Sequence, residues 1–121
     1  MGRLYQQTVS GDMTIAYFEG GKVRSKKNAA DTLICYNGIG QIYQHCAKNG
    51  DNAVANCDIG GNIRKGSATS GSVIVKCSDG VICEGSQPGG RVLAHFDGDM
   101  YGAAAAYVAT VLKLGGKRKQ Q

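Results

Sequence analysis

The stretch "DMYGAAAAYVATVLKL", residues 99–114, decides how the rest of the chain is read. It carries no charge between Asp99 and Lys113, and Gly115-Gly116 follows it. Asp99 is the kind of residue that caps a first helical turn, and Lys113 stands where the negative end of a helix dipole favours a cation. The pattern predicts a helix over 100–114. Gly102, Ala105, Ala106 and Ala109 make one face almost bare of side chain, while Tyr101, Val108, Val111 and Leu112 make a bulkier one. A helix that is apolar on all sides is normally buried, so this one is expected to press closely on a sheet. The apolar run of 100–112 falls well short of the roughly 20 residues that a membrane-spanning helix needs.

Working back from that helix, "DGD" (97–99) supplies a turn, and "RVLAHF" (91–96) alternates Val92, Ala94 and Phe96 on one face of a strand. Upstream, "SVIVKCSDGVICEGS" (72–86) reads as a hairpin with a cysteine on each arm. A two-residue Asp79-Gly80 turn would set Lys76 opposite Cys83, whereas a three-residue Ser78-Asp79-Gly80 loop sets Cys77 opposite Val81 and Val75 opposite Cys83. The second register collects Val73, Val75, Cys77, Val81 and Cys83 on one face and leaves Lys76 and Glu84 on the other. A one-residue slip moves every side chain across the ribbon, so the three-residue loop is expected, with both sulfurs in the core.

Nearer the N-terminus, "MTIAYFEGGKVRS" (13–25) is a hairpin candidate. Ile39, Ile42, Tyr43 and Cys46 recur at helical spacing, which predicts a helix over 39–49 ended by Asn49-Gly50. "NAVANC" (52–57) reads as a short strand, and 58–71 as a loop with strand character at Asn62–Arg64. The expected fold is α+β, an antiparallel sheet of hairpins with the 39–49 and 100–114 helices packed on it. Residues 1–114 form one domain on this reading, and 115–121 a flexible basic tail. "CYNGIGQI", "CDIGGNI", "CSDGVI" and "CEGSQPGGRV" share a cysteine, a glycine turn and a β-branched residue. Their unequal spacing argues for common turn composition rather than a true repeat.

Composition limits what such a domain can be. The chain has 121 residues, 19 glycines, one proline and no tryptophan, so its core has few large anchors. Its net charge of +5 is concentrated at the ends, in Arg3, Lys22, Arg24, Lys26 and Lys27 and in Lys113, Lys117, Arg118 and Lys119. The N-terminal "MGRLYQQ" lacks the apolar segment of a signal peptide. Five cysteines, Cys35, Cys46, Cys57, Cys77 and Cys83, exceed ordinary cytosolic usage and are candidates for two disulfides in a secreted protein. No zinc-knuckle spacing is present, and neither a metal nor another cofactor is expected.

Candidate chemistry is thin. His45 and His95, with Lys48 one helical turn from His45, are the residues that a small ribonuclease would use as acid, base and cation. "GGNIRKGS" (60–67) sets backbone amides beside Arg64 and Lys65, which suits an anion but lacks the ending of a P-loop. Lys117, Arg118 and Lys119 are further anion-binding candidates. The expected function is that of a small, secreted, disulfide-tied monomer, effector-like or toxin-like, that binds a protein partner or an anionic surface without catalysis. The alternatives are the ribonuclease, and a cytoplasmic nucleic-acid-binding protein using its basic ends.

Overall fold

Hydrophobic alternation, not helical spacing, organises most of the described residues. The computed structural model describes residues 2–25, 32–43, 53–66, 72–85 and 91–112. Its strands are β1 (Gly2–Thr8), β2 (Gly11–Glu19), β3 (Lys22–Ser25), β4 (Thr32–Tyr36), β5 (Gln41–Tyr43), β6 (Ala55–Cys57), β7 (Asn62–Lys65), β8 (Val75–Ser78), β9 (Val81–Glu84) and β10 (Val92–Asp97). Each pairs antiparallel with its neighbours in sequence, and β1 closes on β10 to complete a ten-stranded barrel. Helix α1 (Met100–Tyr107) follows β10 and continues as a π-helical segment, Val108–Leu112.

This overturns the expected α+β sheet with two packed helices. Residues 41–43, placed by spacing in a 39–49 helix, are β5, with Ile42 opposite Tyr36 on β4 and Ala55 on β6. The cause is local. Asn37 Oδ1 accepts hydrogen bonds from the Ile39 and Gln41 amides at 3.1 and 3.0 Å, a side-chain-stabilised turn that competes with helix. Ile39 therefore stands at the turn tip, 72% exposed. His45, Cys46 and Lys48 lie outside the described residues.

Inside the barrel, five rows of three residues wrap the wall. Phe18 faces Val23, which faces Ile34. Tyr36 leads through Ile42 to Ala55, and Cys57 through Ile63 to Val75. Cys77 faces Ile82, beside Ala94 on β10, and Phe96 leads through Leu4 to Ala16. The first member of each row precedes a glycine turn. In four hairpin-to-hairpin steps a turn glycine accepts from the next row's leader at 2.8 Å: Gly21 from Tyr36, Gly40 from Cys57, Gly61 from Cys77, and Gly80 from Phe96. The barrel is thus a hairpin of about 20 residues repeated around an axis. The recurrence ascribed above to turn composition is a structural repeat.

Two of these glycines have no substitute. Gly40 and Gly61 have φ of +87° and +88°, and a Cβ on either would collide with a carbonyl oxygen of the next strand, that of Cys57 or Cys77. Close backbone approach and positive φ demand glycine together.

The helix fills the space the rows enclose. An eight-stranded barrel is just filled by its own side chains, and a wider one keeps an axial space. Ala103, Ala104, Ala105 and Ala106 are each 0% exposed, and α1 packs against strands all round the wall, among them β1, β4, β6 and β8. Alanine keeps a helix slim, where larger side chains would bring its diameter to about 10–12 Å. The bareness read from sequence is real, but it is a fit to an enclosing barrel rather than to one sheet. Asp99 caps the helix as expected, accepting from the Tyr101 amide at 3.1 Å.

The cysteine hairpin takes the other register. Asp79 and Gly80, at φ 52° and 80°, form a two-residue turn, so Lys76 opposes Cys83 and Cys77 opposes Ile82. Cys77 points to the axis with Val75 and Ile82, while Cys83 lies on the other face. Both are nevertheless buried. The expectation failed because it assumed that one face must be wet. Lys76 satisfies its charge by donating to the Gly60 carbonyl at 2.6 Å and to Asn62 Oδ1 at 3.3 Å. A smaller correction concerns Val92, which is 47% exposed because the register shifts between it and Ala94.

Candidate binding cleft at the turn end of the barrel

With α1 on the axis, open space lies at the end where the turns gather. Between the Gly20-Gly21 turn, the 37–40 turn and the entry of α1 is a cleft of about 510 Å³. Its walls include Phe18, Tyr36, Asn37 and Gly38, and its acids are Glu19 and Asp99. The cleft exists because this corner is built from residues without side chains: Gly2, Gly20, Gly21, Gly38 and Gly98 all line it. Gly102 lets Phe18 and the Tyr36 hydroxyl close over the helix, since a Cβ there would strike both.

The cleft sets the charges of Glu19 and Asp99 near the Tyr36 hydroxyl, with Asp99 committed to capping the amide end of α1. Burial raises the Tyr36 hydroxyl above its ordinary pKa; a backbone hydrogen bond with Gly21 opposes this, and the charges of Asp99 and then Glu19 add to it. The tyrosine therefore stays a neutral partner between two carboxylates. Lys22 stands opposite Glu19 in the β2–β3 register and offsets part of that charge. An ammonium or guanidinium group on an aromatic wall beside carboxylates is a favourable arrangement. Ile39, exposed on the neighbouring turn, adds apolar surface beside the mouth.

The anion-binding candidates sit elsewhere and are occupied from within. In the 58–62 turn, Asp58 Oδ1 accepts from the Gly60 and Asn62 amides, both at 3.0 Å. Its Oδ2 takes Arg64 at 2.9 Å and the Asn62 side chain at 3.2 Å. The amides and the guanidinium that suited a phosphate thus hold the chain's own carboxylate. Lys65 is exposed at the end of β7. Lys117, Arg118, Lys119 and the expected 115–121 tail lie outside the described residues.

Partial burial by itself would raise the Asp58 carboxyl. The hydrogen bonds from Arg64, then Asn62 and Gly60, outweigh it and hold the group at about 2, below the ordinary 3.8. A depressed carboxylate contributes stability above its unfolded pKa and loses it as pH falls through the folded one. Asp58→Asn should therefore be less stable than wild type near neutral pH, with the difference shrinking between about pH 4 and pH 2. Urea midpoints of both proteins across that range check this; a constant difference would show that the carboxylate's charge is immaterial.

His95 lies on the outer wall, stacked on Tyr5 with centroids 5.5 Å apart, and the Arg3 guanidinium covers the same Tyr5 ring at 4.2 Å. Arg3 also pairs with Asp12 and Asp97, each at 3.2 Å. This places His95 in a surface stack rather than in the cleft. Of the cysteines, Cys57, Cys77 and Cys83 are free thiols, and Cys35 is disulfide-bonded. The structure thus holds Cys57, Cys77 and Cys83 as buried thiols.

Among the described residues, no helix is long and apolar enough to cross a membrane, and no group of His, Cys, Asp and Glu can hold a metal ion. The fold and cleft define a helix-filled, ten-stranded antiparallel barrel with a glycine-lined acidic mouth. Compared with known proteins, the chain matches no family model, no curated protein and no solved structure. Sequence reasoning missed the cleft residues Glu19, Tyr36 and Gly38. Their signal was the aromatic-x-Gly pattern shared by "FEGG" and "YNGIG".

Proposed function

We propose that this is a small non-enzymatic binding protein acting outside the cell, effector-like or toxin-like, which engages a partner protein at the turn-end cleft. The observation that carries the reading is the cleft itself, about 510 Å³ at the open end of a barrel whose axis is filled by its own helix. Concave space with a few placed polar groups is the usual form of a recognition site. Glu19, Asp99 and Tyr36 fit a lysine or arginine side chain of the partner, and Ile39 fits an apolar neighbour of that side chain. The extracellular part of the reading rests on cysteine content, five in 121 residues.

Gly38 offers a clean test, because a Cβ there meets nothing within 4 Å. Gly38→Trp should fold normally and fill the cleft. Titrating labelled wild-type protein with a short Lys/Arg-rich peptide should shift the resonances of Glu19, Gly38 and Asp99, more weakly as salt rises. The variant should lose the response. A basic peptide that leaves those resonances unmoved, or that binds both proteins alike, would refute the site.

A further inference from the structure

The turn between β4 and β5 reads Asn37-Gly38-Ile39-Gly40, and its hydrogen bonds converge on the Asn37 side chain. Asn37 Oδ1 accepts from the Ile39 and Gln41 amides at 3.1 and 3.0 Å, and Nδ2 donates to Gln41 Oε1 at 3.0 Å. The Asn37 amide donates to the Gln41 carbonyl, and the Gly40 amide to that of Asn37. Of the amides in residues 37–41, Gly38 alone therefore has no acceptor among the described residues. Gly38 is also exposed and carries no side chain to crowd its own nitrogen. An uncommitted amide nitrogen thus adjoins a side-chain carbonyl whose oxygen is held by two backbone donors. Donors aimed at an oxygen where charge develops are what an acyl-transfer site uses.

The next repeat shows that such a turn accepts the product. Asp58 stands at the equivalent position, and its Oδ1 accepts from the Gly60 and Asn62 amides, both at 3.0 Å. Its Oδ2 takes the Asn62 side-chain amide at 3.2 Å, where Asn37 Nδ2 meets Gln41. Gln41 can serve a carboxylate as Asn62 does, by turning its NH2 group toward it.

We infer that Asn37-Gly38 is a self-modifying site, at which the turn deamidates Asn37 to aspartate and so adds an acid to the cleft. The Gly38 nitrogen attacks Asn37 Cγ while its proton passes to solvent base. Oδ1 then carries negative charge under the Ile39 and Gln41 amides. The Cγ–Nδ2 bond breaks, and Nδ2 takes a proton from solvent and leaves as ammonia. Water opens the resulting cyclic imide. Breaking the bond between Cγ and nitrogen gives aspartate, and breaking the one at the main-chain carbonyl gives isoaspartate. Asn37 lines the cleft with Glu19 and Asp99, so aspartate there makes a third carboxylate. That consequence rests on the cleft reading above; the chemistry does not.

The folded full chain, and the same chain held in denaturant, would be incubated at one mildly alkaline pH, digested and mapped by mass spectrometry. Asn37 should gain the mass of an amide-to-acid exchange about tenfold faster or more in the folded chain, because only the fold supplies the two donors. Gly38→Ala should fold normally, since a Cβ there meets nothing within 4 Å, and should slow the folded reaction about tenfold or more by crowding the nitrogen. Asn37→Asp, which presents the product directly, should respond more strongly than wild type to the Lys/Arg-rich peptide, with the gain shrinking as salt rises. Modification of Asn37 no faster folded than unfolded, or equally fast in Gly38→Ala, would overturn the site. A response unchanged by Asn37→Asp would overturn its consequence for the cleft. No peptide response in any of the proteins would defeat the cleft reading alone, because the mass measurement decides the chemistry by itself.

Discussion

Gly61→Ala is expected to be among the most damaging single-methyl changes in the described residues, lowering stability by about 3 kcal/mol or more. Two penalties combine at this position. An L-residue at φ +88° carries backbone strain, of order 1–3 kcal/mol for a strained residue, and its Cβ would collide with the Cys77 carbonyl oxygen on the next strand. That carbonyl belongs to the rigid ladder, so relieving the clash means parting two hairpins that share the Cys77-to-Gly61 hydrogen bond. Gly20→Ala is the matched control. Its φ is +61°, but a Cβ there meets nothing within 4 Å, so only the conformational penalty remains, about 1 kcal/mol. Urea unfolding of both variants checks the pair. Equal losses would mean that position 61 is an ordinary turn and the interlocking of the repeats is wrong.

Ala104→Leu is the second large effect, an expected loss of about 3 kcal/mol, the upper part of the range for overpacking. Ala104 is fully buried in a helix surrounded by wall, so the three extra carbons have no solvent side to turn toward. Ala106→Leu should behave similarly for the same reason. Val111→Leu, at a site 44% exposed past the enclosed segment, should change stability by less than about 0.5 kcal/mol. Thermal or urea melts of the three variants rank them. A tolerated leucine at position 104 would mean that the helix has room on one side, as a helix lying on an open sheet would.

The helix was legible in the sequence and its surroundings were not. Asp99 and the alanine run state that a capped, slim helix is buried, yet the same pattern serves a helix pressed on a sheet and one enclosed by a barrel. What separates the two is strand number, and several strands were hidden. β1 carries Arg3, Tyr5, Gln6 and Gln7, so only Gly2 and Leu4 mark its inner face. β5 has three residues, and in so short an element Ile39 and Ile42 mimic helical spacing. The repeat was visible only in part. Cysteine marks only rows three and four, because the equivalent position holds Phe18, Tyr36 or Phe96 elsewhere. "CEGSQPGGRV" misled because Cys83 is not a row leader. Read as any large or soft apolar residue, a turn glycine and then a β-branched residue two positions on, the period shows in "FEGGKV", "YNGIGQI", "CDIGGNI" and "CSDGVI". The cleft was illegible for a related reason. It is made of missing side chains, brought together from β1, two turns and the start of α1.

Enclosure of α1 by the barrel fills the axis and moves the candidate site to the turn end. Methyl-resolved NMR on the full chain measures it directly, through nuclear Overhauser contacts from the methyls of Ala103, Ala104, Ala105 and Ala106. Enclosure predicts contacts from this one helix to strands on opposite sides of the wall, β1 and β10 as well as β4, β6 and β8. Contacts confined to a few adjacent strands, with some alanine methyls open to solvent, would contradict it.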